Sequence, residues 1–302
     1  MSEKTRFTAL FHRQLKKKSC RKILAGISII LVIAMLSGCG SDKPDDYDYK
    51  LTTSNATILG LLNKDLEELD IPDDIEGIPV TKIANDAFDQ CTIITSVDLP
   101  DTVTEIGSKS FRGCVSMKSI DLPDSLKKIG SAAFSECSAL TKLDLPESVR
   151  TIGPYAFSNC TKITEIEIPE SVTIIDKYVF DGCTSLASVE LPNKVTKIRN
   201  AAFCKCSSLE KIKLSNYLSE ISNASFQGCK SLKEVKIPKS VKRIAPYAFK
   251  DCKGLTRIDI PASVTYIGNH AFDNCPHLTI YGEKGSKAEA HARANKIKFK
   301  EL

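Results

Sequence analysis

The chain has 302 residues, a formal charge of +5, twelve cysteines and no tryptophan. Its length would admit two ordinary domains, but one repeat phase runs unbroken from Ile83 to Phe272 and excludes that division. Nor does the basic balance by itself imply an anionic partner: the first 38 residues carry eight Lys/Arg against Glu3, and without them the charge is −2.

In chain order, Lys16, Lys17, Lys18, Arg21 and Lys22 precede an apolar run from Ile23 to Leu36. That run of 14 residues is shorter than the ~20 needed for a stable membrane-spanning helix, and the pattern is that of an export signal over 1–38. It ends in Leu36-Ser37-Gly38-Cys39, which resembles the bacterial lipobox. There, small residues allow cleavage before a cysteine that receives diacylglycerol, so the resemblance implies that Cys39 is lipidated. An uncleaved N-terminal anchor is the alternative, and both place the remaining chain outside the membrane. A single acyl chain holds a bilayer only marginally, so stable attachment through Cys39 would rest on two or more chains.

Residues 39–48 are acidic and polar and read as a flexible tether. From Tyr49 to Leu62, apolar residues flank a turn-prone Thr-Ser-Asn, as in a hairpin covering the first rung. The segment 49–82 is thus expected to be an N-terminal cap with one partial repeat, in which Leu69-Asp70-Ile71-Pro72 matches the repeat's strand and Glu76–Val80 is an insertion.

The repeats occupy 83–281 with a period of 23. Phe88, Phe111, Phe134, Phe157, Phe180, Phe203, Phe226, Phe249 and Phe272 each stand three residues before Cys91, Cys114, Cys137, Cys160, Cys183, Cys206, Cys229, Cys252 and Cys275. A unit this short buries its apolar face only against its neighbours, so nine in one phase predict a solenoid. Within each unit an alternation such as Val97-Asp98-Leu99 ends in Pro100, predicting a short strand stopped where the ladder donor is lost. A second inward pair such as Val149 and Ile152 follows. Gly107, Gly130, Gly153 and Gly268 come next and are expected to relieve backbone strain. Past Tyr281 the phase breaks. Ser286-Lys-Ala-Glu289 is a capping-box pattern opening a helix to about Asn295, and Ile297 and Phe299 are expected to close the last rung, so that 282–302 forms a helical C-terminal cap.

The repeated motif, Ile-Gly-x-x-Ala-Phe-x-x-Cys-x-x-Leu-x-x-Ile-x-Leu-Pro-x-Ser-Val, resembles the BspA-type (Treponema pallidum-type) leucine-rich repeat over Leu69 to Tyr281. The resemblance implies a helix-poor slab of short parallel strands and turns. It also implies a bacterial surface protein of the kind that adheres to host proteins, other bacteria or matrix. The family consensus consists of core positions, so it assigns no functional residue, and Cys39 is carried over only by way of the lipobox.

The nine in-phase cysteines are expected to form a buried ladder of free thiols, because parallel inward side chains lack disulfide geometry. Cys204 lies off this ladder, aligned with Asp89, Arg112 and Ser135, and is expected to be exposed. His270, His277 and His291 gather near Cys275 without metal-ligand spacing, and no catalytic constellation or cofactor motif appears. Two features remain for binding. Outward strand positions read Asp70, Asp98, Asp121, Asp144, Glu167 and Glu190, then Lys213, Lys236 and Asp259; the acids form either a solvated face screened by Lys118 and Lys142 or an acidic strip for a basic partner or cations. Tyr155 and Tyr178, in successive rungs, either pack at the rim of the Phe turn or serve as exposed anchors.

Charge segregates along the chain: residues 39–192 hold 13 Lys/Arg against 27 Asp/Glu, and residues 193–302 hold 21 against 9. The expected partners are therefore a membrane, through the lipid, and a protein or anionic glycan at the cell surface, with no nucleic acid. A monomer is the expected state. A scaffolding role, or end-to-end self-association through the opposite charges, is the alternative reading.

Overall fold

The structure, a computed structural model, describes residues 44–302. The export signal, Cys39 and the first part of the tether lie outside the described residues.

The repeats wind into a β-solenoid. One column of strands comprises Glu68–Asp70, Ser96–Asp98 and Ser119–Asp121, then Ser188–Glu190, Lys211–Lys213, Glu234–Lys236, Arg257–Asp259 and Thr279–Gly282. A second column of mostly two-residue strands runs from Ile78–Ile83 through Glu105–Ile106 and Lys197–Ile198 to Tyr266–Ile267. Neighbouring repeats pair in parallel and in register, as Val97↔Ile120 and Ile244↔Ile267 do. The expected strand at Leu143 is missing, and at Ile166 only an isolated bridge from Glu165 to Ser188 remains. Asp144, Glu165 and Glu167 are exposed on the outer face at this gap, but like charge alone does not account for it, since Asp98 and Asp121 pair in register.

The third side of each rung is the Phe turn, where most of the packing resides. The nine phenylalanines stack in a continuous column, ring centroids 5.1–5.7 Å apart. All are buried. Their backbones are stitched as well: the N–H of each Phe from Phe88 to Phe249 donates to the carbonyl one residue before the next Phe, at 2.7–3.0 Å. Residues two before and two after each Phe adopt positive φ, for example Tyr155 (60°) and Asn159 (59°). This geometry turns the backbone N–H groups toward the following rung.

The glycines expected to relieve strain serve another purpose. Gly107, Gly130, Gly153 and Gly268 do not have positive φ. Instead, a Cβ on Gly130 would lie 2.5 Å from the carbonyl carbon of Gly107, and one on Gly107 would lie 2.5 Å from that of Ala84. Successive rungs approach too closely there for any side chain.

At the N-terminal end, strands Tyr47–Leu51 and Ala56–Leu61 form the expected hairpin, closed by Thr52 Oγ1 donating to the Asn55 carbonyl at 3.1 Å. The hairpin starts earlier than its apolar pattern implied, since Tyr47 is fully buried and belongs to the first strand rather than to the tether. The Glu76–Val80 insertion is a tight antiparallel turn between Asp74–Ile75 and Ile78–Ile83. At the C-terminal end, the helix Lys287–Ala294 is capped by Ser286, whose side chain accepts from the Glu289 N–H, while Glu289 Oε2 accepts from the Gly285 N–H at 2.6 Å. Lys298–Glu301 then pairs with Thr279–Gly282, placing Phe299 opposite Ile280 as the pattern requires.

Candidate functional site

Strand alternation puts the hydrophobic residues of the first column inside and leaves one charged side chain per rung outside. Asp98, Asp121, Asp144, Glu167, Glu190, Lys213 and Lys236 are all exposed. Pairing brings them into line, with Asp70 opposite Asp98, Asp98 opposite Asp121, and Lys236 opposite Asp259. Where acid gives way to base, Glu190 and Lys213 stand opposite each other and form an ion pair. Within the acidic stretch Lys142 Nζ lies 2.6 Å from Asp144 Oδ2, which is the screening expected of that lysine. The basic end has its own architecture: the Arg257 guanidinium grips Asp259 at 2.7 Å and lies 4.1 Å from the centroid of the Tyr281 ring. On the second column Arg243 lies 3.9 Å over Tyr266. Stacking of this kind fixes a guanidinium over a ring, and Arg257 already commits its Nε and Nη2 donors to Asp259.

Tyr155 and Tyr178 do adjoin, their rings stacked at 4.6 Å and inclined by 5°. Tyr155 is 38% exposed. A second such pair, Tyr247 and His270, stacks at 5.4 Å in the same phase. The signal for it was present in the sequence, because His270 aligns with the three tyrosines. Both pairs pack face to face, which takes up one face of each ring.

The ten described cysteines are free thiols. Each Sγ from Cys114 to Cys275 donates to the carbonyl of the Phe one rung earlier, at 3.0–3.3 Å. A cysteine fills the position because it is small and apolar yet keeps a weak donor. Burial pushes the Cys137 and Cys183 thiols up to about 12. The expectation for Cys204 is overturned: it is 8% exposed. Its phase follows the Phe directly, where Ser135 and Ser158 are buried too, and its thiol faces the half-buried Asp181 carboxylate. Burial first, and the Asp181 charge second, raise it to about 12, so it remains a protonated, unreactive thiol at neutral pH.

His270, His277 and His291 do not form one cluster, although His277 and His291 both line the cleft beside the C-terminal cap. His270 Nδ1 binds Asp273 Oδ2 at 2.7 Å, whereas His291 sits edge-on against Phe272, 5.6 Å between centroids. Burial, with Lys287 adding to it, lowers the His291 pKa. Among the described residues no three His, Cys, Asp or Glu side chains form a group that could hold a metal ion. No described helix is long and apolar enough to cross a membrane.

Comparison with known proteins agrees with this architecture. A leucine rich repeat protein of Treponema pallidum, 24% identical, superposes with a TM-score of 0.51 over 86% of this chain and 98% of that one, and so shares the fold. A leucine rich cell surface protein of Faecalibacterium prausnitzii A2-165 is 26% identical over 84% of this chain and 97% of that one, with a TM-score of 0.41. A leucine-rich repeat protein of Bacteroides ovatus is 22% identical over 87% and 100%, with a TM-score of 0.36. No curated protein matches. The profile of the BspA type leucine rich repeat region matches residues 62–187 and 150–279, and the chain belongs to that family.

Proposed function

We propose that the protein is exported, anchored by lipid at Cys39 to the outer face of a bacterial membrane, and binds an anionic macromolecule through its C-terminal half, as an adhesin does. The observation that carries this reading is the charge order of the outer ladder, acidic from Asp98 to Glu190 and basic at Lys213 and Lys236. It sits within a wider segregation, with 13 Lys/Arg against 27 Asp/Glu over residues 39–192 and 21 against 9 over 193–302. Because the acidic half follows the anchor, an anionic bilayer repels it and turns the basic half outward. There Lys211, Lys213, Lys233, Lys236, Lys242 and Arg243 are exposed.

The test is retention of the lipid-free chain on an immobilised sulfated polysaccharide. Retention at low salt should be lost well before about 0.5 M, where charges separated by more than ~4 Å are screened. Lys213→Glu with Lys236→Glu should bring elution to lower salt. Retention that ignores salt, or none at low salt, would contradict the proposal. The anchor is tested separately: palmitate labelling in the producing cell should vanish in Cys39→Ala, and labelling that persists would point to Cys20 or to an uncleaved leader.

A further inference from the structure

The solenoid's two ends are finished differently. At the N-terminal end the hairpin comes down on the first Phe turn so closely that a Cβ on Gly60 would lie 3.0 Å from the Ala87 carbonyl oxygen. At the C-terminal end, Lys298–Glu301 pairs with the last strand of the first column. There the Phe272 ring is met by His291 of the cap helix, 5.6 Å between centroids, but the backbone of the turn receives no equivalent partner. One rung back, the N–H groups of Phe249 and Asp251 donate to the carbonyls of Ala271 and Asp273, both at 2.8 Å. The corresponding N–H groups of Phe272 and Asn274 make no hydrogen bond among the described residues.

These two donors do not face open solvent alone. They border a cleft of about 740 Å³ between the last turn and the cap, lined by Phe272, Asn274, His277, His291, Lys296 and Lys298 among others. Its volume is that of a ligand site. Asp273 also lines it, its carboxylate oxygen 2.7 Å from His270 Nδ1, and Lys296 and Lys298 outnumber that single acid, so the lining carries a net positive charge.

We propose that this cleft binds an acidic peptide segment in extended conformation, whose carbonyls at alternate residues accept the Phe272 and Asn274 N–H groups while its carboxylates meet Lys296 and Lys298. The segment takes the place that the backbone of a tenth Phe turn would occupy, beside His291, offering acceptors two residues apart as Ala271 and Asp273 do. Main-chain pairing at an open edge gives affinity, and the flanking lysines select for acid. A second copy of this chain is a poorer occupant, because the hairpin already covers the matching edge of its first rung. The inference is independent of the basic ladder proposed above, since it concerns backbone donors at the end of the solenoid.

The experiment is residue-resolved amide exchange on the whole secreted chain, with an end-blocked hexapeptide of alternating aspartate and valine as probe. Without peptide, the Phe272 and Asn274 amides should exchange faster than those of Phe249 and Asp251. At saturation they should slow by about tenfold or more, and a lysine–valine hexapeptide should leave them unchanged. Lys296→Glu and Lys298→Glu should each weaken binding roughly two- to fivefold. No protection at millimolar peptide would overturn the proposal, as would protection spread over the basic strands instead. Protection that grows with protein concentration in the absence of peptide would assign the cleft to a second copy and overturn it equally.

Discussion

On titration from pH 8 to pH 11 the protein is expected to lose its fold cooperatively, near pH 10. The cause is the cysteine ladder. Cys114, Cys137, Cys160, Cys183, Cys206, Cys229 and Cys252 are fully buried, and desolvation raises every one of them. A thiol in the unfolded chain titrates near ~8.5, whereas Cys137 and Cys183 are pushed up to about 12 in the native state. Between these values the native state holds protons that the unfolded state has released, so stability falls as pH rises. It is fully present below ~8.5. By pH 10 each buried thiol has cost about 2 kcal/mol, and the ladder together on the order of 10 kcal/mol, comparable with the whole stability of a domain. Circular dichroism against pH gives the measurement. Replacing Cys137 and Cys183 by Ala should reduce the protons released on unfolding by about two. A fold that persists to pH 11, or a steepness indifferent to that double change, would show that the thiols do not govern the transition.

Phe180→Ala should cost about 3–5 kcal/mol. The side chain is fully buried and stacks on both sides, against Phe157 at 5.7 Å and Phe203 at 5.3 Å. Because each repeat touches only its neighbours, damage in the middle weakens the coupling between the two halves as well as the local packing. Guanidinium denaturation should therefore show a lower midpoint and a broadened or two-step transition. Phe272→Ala is the comparison: that ring has one stacked neighbour, Phe249, with His291 at its edge, and its loss should cost less and leave a single transition. Equal losses at both positions would mean that coupling through the Phe column is not what holds the rungs together.

The core was legible because a period of 23 with no slip fixes which side chains face inward, whatever surrounds them. Phe, Cys, Leu and Val landed where phase put them, and so did the capping box at Ser286 and Glu289. The outer ladder was legible for the same reason: strand alternation decides which residue of Val97-Asp98-Leu99 points out. What escaped depended on distances between rungs. Gly130 looks like a turn glycine until the backbone of Gly107 is found a contact distance away. Positive φ at Tyr155 and Lys109 has no sequence signature, since the turn imposes it on whichever residue stands there. Cys204 aligned with polar residues and so looked exposed, although serines in that phase are buried. Tyr47 was lost among acidic neighbours. The terminal cleft was invisible because it arises where the cap stops short, and no residue type announces that.

Each interface along the Phe column is nearly the same: one stacked pair, one backbone bond from the Phe N–H and one thiol bond back. Along that column one unit fits after another, although Asp176, Arg199, Ser222 and Ala245 stand at the phase where Gly107, Gly130 and Gly153 permit close approach. A deletion or duplication of 23 residues in phase would leave both ends intact and change only the distance between them, by the 5.1–5.7 Å that separates stacked rings. The molecule is in that sense a ruler whose graduations can be added or removed by inheritance without redesigning either end.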